Sequence, residues 1–280
     1  MGKRSRNVSE STMQRWIKQG RGQGIGMDYV PWLKIQDVPS TGRASRIRGI
    51  KTDRIHHLLS DLETGYFYLL EYSDNVLDIR ERFPLLPLEQ TQDIAEELGI
   101  KHPADFQTKD DIIMTTDFLI TLDYKGKPAN IARTVLLSGE LDKKRTLEKL
   151  EIERIYWEKN GVDWGIVTDK EINNNFLQNL KMLHQYHNIN TCGEFEDISP
   201  ELLNQGKNFL IKALDEKEPI INICHMCDKK LGLSVGSSIA LFKHAVITKS
   251  LDIEITTELI DFSKPAIFKS TQLKKEGVIG

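Results

Sequence analysis

A mixed α/β sheet flanked by helices, followed by a mostly helical second domain, is the fold class this sequence predicts. Three observations predict it. Short β-rich runs alternate with helical patterns through the first 170 residues. Two of those runs are joined by the tight turn Lys125-Gly126-Lys127, which makes a hairpin inside the sheet. Beyond Asp169 the pattern turns largely to helical periodicity. The predicted boundary gives domains 1–170 and 171–280.

In chain order, Ser9 and Ser11 can cap a short helix through Met13, Trp16 and Ile17. The run RGQGIGMDYVPWL (21–33) places Gly22, Gly24 and Gly26 in a GxGxG array. No apolar strand precedes it and Pro31 follows, so a glycine-rich turn is expected rather than a dinucleotide site. WLKIQDV (32–38) reads as a short strand, and Pro39 and Gly42 lead into a basic loop. The helix that organises the domain is read from HHLLSDLE (56–63) onward to Leu70. Ile55, Leu59, Leu62, Tyr66 and Leu69 recur at three- and four-residue steps. Glu63 then falls on the flank of the apolar stripe, on the side of His56.

VLDIRERF (76–83) is a strand ended by Pro84, and Thr91–Leu98 is a weak helix. DFLITLDY (117–124) and NIARTVLL (130–137) form the hairpin. KKRTLEKLEIERIYWEKN (143–160) is a charged helix closed by Gly161, and DWGIVT (163–168) is a buried-type strand. In the second domain, helices are read at 173–186, from Ser199-Pro200-Glu201 to Leu214, at 220–230 and at 234–244. AVITKSLDIEITTEL (245–259) reads as a two-stranded hairpin, which completes a winged-helix outline.

Composition narrows the function. Lys and Arg number 38 against 41 Asp and Glu, a formal net charge of −3, so the chain as a whole is not a generic nucleic-acid binder. The charge is uneven, however. Arg43, Arg46, Arg48, Lys51 and Arg54 cluster against the single acid Asp53, and Lys3, Arg4 and Arg6 form a basic N-terminal arm. A solvated face is the plainer reading of such a run; contact with a phosphate backbone is the sharper one. Three cysteines, an odd number, point to a reducing cytoplasm. No apolar run suggests a signal segment or a membrane span. CHMC (224–227) has no second pair at zinc-site spacing, so buried thiols are expected there.

Glu63 on a packed helix and Asp117 at a strand start are a geometrically possible pair for Mg²⁺-assisted phosphodiester hydrolysis. A solvated helix charge is the plainer reading of Glu63 on the residues alone. The motifs go further. RGQGIGMDYVPWL, IHHLLSDLE, VLDIRERFPLLP, GIKHP, TTDF, RTLEKLEIERIYW and TDKEIN are collinear from about residue 20 to 173. Together they resemble TnsA, the endonuclease family of heteromeric transposases.

The resemblance implies a restriction-endonuclease-like N-terminal domain and a winged-helix-like C-terminal domain. It implies a Mg²⁺-dependent enzyme (Mn²⁺ as a substitute) that cuts the 5′ ends of a mobile element, in the bacterial cytoplasm at the nucleoid. Its implied partners are transposon-end DNA, the DDE transposase TnsB and the ATPase regulator TnsC, with no membrane. Glu63 and Asp117 match the family's metal ligands. The family's Gln-x-Lys falls on Thr134-Val135-Leu136, so both side chains differ, while the Val135 carbonyl remains available to a metal. Leucine cannot orient water or stabilise charge, and Lys143, Lys144 and Lys149 are the candidates to replace the lysine. Glu153 is a candidate outer acid, with a solvated helix face as its plainer reading. The resemblance therefore implies either an active endonuclease or a weakened or silent subunit that keeps DNA contacts and assembly.

Overall fold

The computed structural model describes residues 10–38, 43–195, 198–214 and 217–269. The basic arm at Lys3, Arg4 and Arg6 lies outside them. The chain divides into two compact units, Met1–Ile172 and Asn173–Gly280.

The first unit is built on a four-stranded sheet in the order β3-β4-β5-β6. Its strands are β3 (Val76–Pro84), β4 (Thr115–Tyr124), β5 (Lys127–Leu136) and β6 (Asp163–Thr168). The first three are antiparallel and β6 is parallel to β5, so the sheet is mixed. That agrees with a restriction-endonuclease-like fold. Two strands, β1 (Ser45–Arg48) and β2 (Ile55–Leu58), form a separate antiparallel ribbon. The helices of this unit are α1 (Glu10–Lys18), α2 (Asp61–Tyr72), α3 (Leu88–Glu97) and α4 (Lys144–Lys159). Ile152, Tyr156 and Trp157 of α4 pack with Ile94 and Ala95 of α3 and with Leu119 and Ala132 of the sheet. A second cluster joins Met13 and Trp16 of α1 to Trp32 and Ile113, with the two indoles edge to face at 5.3 Å.

Three expectations are corrected in this unit. His56 and its neighbours are not helical: Ile55–Leu58 is strand β2, and the helix begins only after Ser60. Ser60 Oγ accepts the Glu63 N–H at 3.1 Å while the Glu63 carboxylate reaches back, a capping box that fixes the boundary. WLKIQDV forms turns rather than a strand, because its polar groups are taken locally: Asp37 accepts the Lys34 N–H and pairs with Arg21. The basic stretch expected as a loop instead contains β1. The glycine turn is as expected. Gly22 and Gly24 have φ of +78° and +89°, and a Cβ on Gly22 would stand 2.3 Å from Pro84.

The second unit holds α5 (Asn174–Leu183), α6 (Pro200–Ala213), α7 (Ile220–Leu231) and α8 (Ser237–Ile247). Asp228 at the end of α7 accepts the Ser238 and Gly236 N–H groups at 2.7 Å, capping α8 and fixing the α7–α8 corner. Cys224 and Cys227 are buried free thiols on α7, and burial pushes the Cys224 thiol up to about 12. The hairpin expected at 245–259 is absent: Ala245–Ile247 complete α8, and the segment beyond runs through turns and bends, with one bridge between Ile253 and Phe268. Asn179 of α5 holds that segment, donating to the carbonyls of Ile255 and Glu258 and accepting from Ile260 N–H. Side-chain amides thus do what a hairpin ladder was expected to do. Among the described residues, no helix is long and apolar enough to cross a membrane.

The ribbon is tied to the sheet by buried charge. Glu81 on β3 accepts both Arg54 Nη groups and pairs with His56 Nδ1 at 2.8 Å; the other His56 nitrogen meets Thr52 Oγ1 at 2.7 Å. Burial alone would raise the Glu81 pKa, but His56 and Arg54 hold it down at about 2. Removing one member leaves charge buried without a partner. Glu81→Ala is therefore expected to cost about 3–5 kcal/mol, read as a lowered urea midpoint. A change under about 1 kcal/mol would show that the network does not hold the ribbon.

Candidate metal centre and basic ribbon

Glu63 lies at the third position of α2, only 5% exposed, where the positive end of the helix favours a carboxylate. It is thus in the first turn, not on the flank of a longer helix. Its Oε2 accepts the Leu59 N–H at 2.9 Å, and its Oε1 accepts the Ser60 hydroxyl at 3.1 Å. Asp117 is in β4, 8% exposed, one residue beyond the Phe118–Arg133 pair. The antiparallel register therefore sets it beside Thr134 and Val135, and its Oδ2 accepts the Val135 N–H at 2.7 Å. The two acids expected to form a pair do converge.

They converge on Arg82. Its Nη1 lies 2.7 Å from Asp117 Oδ1, and its Nη2 donates to Glu63 Oε1. Sequence reasoning missed this residue. The available signal was VLDIRERF itself, a strand between apolar neighbours that carries four charges, each of which needs a partner once buried. Burial works against the Arg82 charge, but Asp117 and Glu63 raise its pKa and keep it protonated. For Asp117, burial is the largest influence; with the nearby Glu63 charge it outweighs Arg82 and the Val135 N–H and pushes the carboxyl up to about 6.

Thr134 and Leu136 stand on β5 as placed by the register. Thr134 Oγ1 donates to Glu153 Oε1 at 2.5 Å, and Thr116 Oγ1 donates to the same oxygen at 2.6 Å. Glu153 is thus buried behind the site rather than on a solvated helix face. Leu136 offers no polar atom. None of the three candidate lysines takes its place: Lys143 and Lys144 ion-pair with Glu140 and Glu148, the Lys144 side chain is 92% exposed, and Lys149 is exposed. Arg133 instead pairs with Asp163 at 2.7 Å.

Thr52, His56 and Glu81 have the hydroxyl–imidazole–carboxylate order of a nucleophilic triad. With His56 fully buried and Thr52 nearly so, no substrate can reach them, and they are structural. Of the five basic residues proposed to meet phosphate, Arg43, Arg46 and Arg48 are exposed. Arg46 and Arg48 alternate with half-buried Ser45 and Ile47, so they share one face of β1. Arg48 is paired with Asp53 at 2.7 Å, and Lys51 is half-buried. Arg54 is corrected: it is committed to Glu81 inside the fold and cannot face DNA.

Two carboxylate oxygens meeting at one buried point suit a hard divalent cation by donor type. A guanidinium already holds that point. Among the described residues, no group of three or more His, Cys, Asp or Glu residues is arranged to hold a metal ion.

Comparison with known families agrees across both units. A model described as TnsA-like endonuclease N terminal matches residues 73–169, which include Asp117 and Leu136 but begin after Glu63. A model described as TnsA endonuclease C terminal matches residues 171–255. The chain is also 46% identical over 243 residues to the transposon Tn7 transposition protein TnsA of Escherichia coli, covering 86% of this chain and 84% of the relative.

Burial pushes the Glu153 carboxyl up to about 7; the Thr116 and Thr134 hydroxyls oppose the rise and Asp117 adds to it. A carboxyl whose pKa is raised by folding favours the folded state fully below its unfolded value. That contribution is lost as pH rises toward about 7. Stability should therefore fall by a few kcal/mol between pH 5 and pH 8 on account of this group, and Glu153→Gln should flatten that slope in urea titrations. An unchanged slope in the variant would reject the assignment.

Proposed function

Because this chain belongs to the TnsA family, we propose that it acts as the end-cutting subunit of a transposase, a divalent-metal DNA endonuclease working at the 5′ ends of a mobile element. The observation that carries this reading is the convergence of Glu63 and Asp117 on one buried guanidinium, with Glu63 on the helix that directly follows the basic ribbon. Mg²⁺ is the expected ion, with Mn²⁺ as a substitute; when bound, it activates water and neutralises charge developing on phosphate. The chain's own residues do the rest. Glu63 and Asp117 supply oxygens, the Val135 N–H orients Asp117, and Arg43, Arg46 and Arg48 draw the phosphate backbone toward the ribbon.

Transposon-end DNA, a TnsB-type transposase and a TnsC-type regulator are the proposed partners, supported by likeness to a Tn7 transposition protein. We take residues 1–170 as the restriction-endonuclease-like domain and 171–280 as a winged-helix-like domain without a wing hairpin, placed in the bacterial cytoplasm at the nucleoid. The four helices of the second unit and the match of residues 171–255 support that division.

A second reading has its own observations. Leu136 cannot stabilise charge, and Arg82 occupies the carboxylates, which favours a weakened or silent subunit that retains DNA contacts and assembly. Positioned charge-stabilising groups contribute roughly 10²–10⁴-fold.

Combined with a TnsB-type partner, end DNA and Mg²⁺ or Mn²⁺, the natural protein is expected to nick 5′ ends, and Glu63→Ala to abolish the nicks. Nicks that survive Glu63→Ala would sink the site assignment. Nicks only from Leu136→Lys combined with Thr134→Gln would establish the silent-subunit reading. Separately, neutralising Arg43, Arg46 and Arg48 together is expected to weaken DNA binding and lower the salt slope by about 3 at most. An unchanged slope would remove the ribbon from the DNA interface.

A further inference from the structure

We propose that Arg82 is the resident cation of the Glu63–Asp117 centre and competes with a divalent metal for the same oxygens, so that the centre takes metal only when the Arg82 side chain leaves. The inference rests on the proposed metal role of the two acids.

The first support is geometric. One guanidinium spans both carboxylates, using one Nη group for each, and its side chain is only 14% exposed. Oxygens that a shared metal would need are therefore the ones Arg82 uses. The second support is charge. Two carboxylates and one guanidinium sum to −1 in a buried site. A divalent ion added beside Arg82 would bring +3 against −2 and place two cations a few ångströms apart at low dielectric, whereas the ion without Arg82 leaves the site neutral.

The third support is that Arg82 is not optimised as a structural arginine. Its backbone sits at φ +52°, in the left-handed region, inside a strand. Its Nε–H is buried without a hydrogen-bond partner. Arg54 shares the unpaired Nε–H but also donates to the Ile79 carbonyl and has no left-handed backbone, whereas the Nη groups of Arg82 meet the two acids. The left-handed backbone is what sets Arg82 apart from the other buried arginines, and the two ion pairs hold it in place.

The test measures Mn²⁺ binding to the full chain by electron paramagnetic resonance and calorimetry, without DNA and without reading cleavage. Arg82→Gln is expected to bind Mn²⁺ at least about tenfold tighter than the natural protein, and adding Glu63→Gln to it should abolish the gain. Mn²⁺ should raise the melting temperature of Arg82→Gln and leave that of the natural protein unmoved. Arg82→Lys, a single-point cation that cannot span both acids, should fall between them and serves if the glutamine variant does not fold. Equal Mn²⁺ affinity in all three proteins, or a Mn²⁺-stabilised natural protein, overturns the proposal. The two ideas fail separately. Tight Mn²⁺ binding by Arg82→Gln without nicking leaves Arg82 as the competing cation and rejects the endonuclease reading. Nicking by the natural protein with no gain in affinity does the reverse.

Discussion

Strand β3 carries Asp78, Arg80, Glu81 and Arg82 through the interior of the first unit, and a charge taken out of water must meet a partner there. Their partners come from several elements and, for Asp78 and Arg80, from the strand itself. Asp78 pairs with Arg80 and accepts the Gly26 N–H of the glycine turn. Glu81 gathers Arg54 and His56 from the ribbon. Arg82 gathers Glu63 from α2 and Asp117 from β4. One strand thereby fixes the turn, the ribbon, the helix and the next strand. A slip in register would turn the apolar face outward, and it would also strand several of these paired charges at once.

The centre inherits its geometry from this arrangement. Glu63 is positioned by a helix start, Asp117 by the β4–β5 register, and both by the Arg82 fork. Glu153 sits one layer behind, receiving hydroxyls from Thr116 on β4 and Thr134 on β5. Thr134 therefore has a task in this chain that an amide would perform differently: it ties the sheet to α4. The polar interior is continuous from β3 through the acids to α4, so changes made at Arg82, Thr134 or Glu153 would not act independently.

Much of this was legible in the chain. The strands at 76–83, 117–124, 130–137 and 163–168 and the helix at 143–160 follow from period and turn residues, since each has a buried face and a clear stop signal. The ribbon was not. Ile55–Leu58 continues the helical spacing of Leu62, Tyr66 and Leu69 by coincidence, and Ser60-x-x-Glu63 was the local signal for the true start. Arg54 looked like its basic neighbours because its partner, Glu81, is distant in sequence. The pairing of Glu63 with Asp117 followed from motif matching, but Arg82 between them depended on a left-handed residue within a strand, which no periodicity encodes. The missing hairpin after α8 has the same character: Asn179 supplies bonds that the β-rich sequence seemed to require from a partner strand.

Glu63 and Asp117 do not by themselves distinguish a working centre from a silent one. Glu63 closes a capping box and accepts the Leu59 N–H; Asp117 accepts a backbone N–H from the neighbouring strand. Each has a reason to be a carboxylate that is independent of any metal, and loss of either would unsettle a helix start or a sheet register. The informative positions are those with no such second task. Leu136 contributes no polar group, and the Arg82 guanidinium holds the two acids at the cost of a strained φ and an unmet Nε–H. The positive charge at this centre is thus carried on β3, bound to the acids, and not on β5 facing a reacting group. Whether Arg82 leaves the two acids, more than the survival of the acidic pair, is therefore what divides the proposed cutting subunit from the proposed silent one.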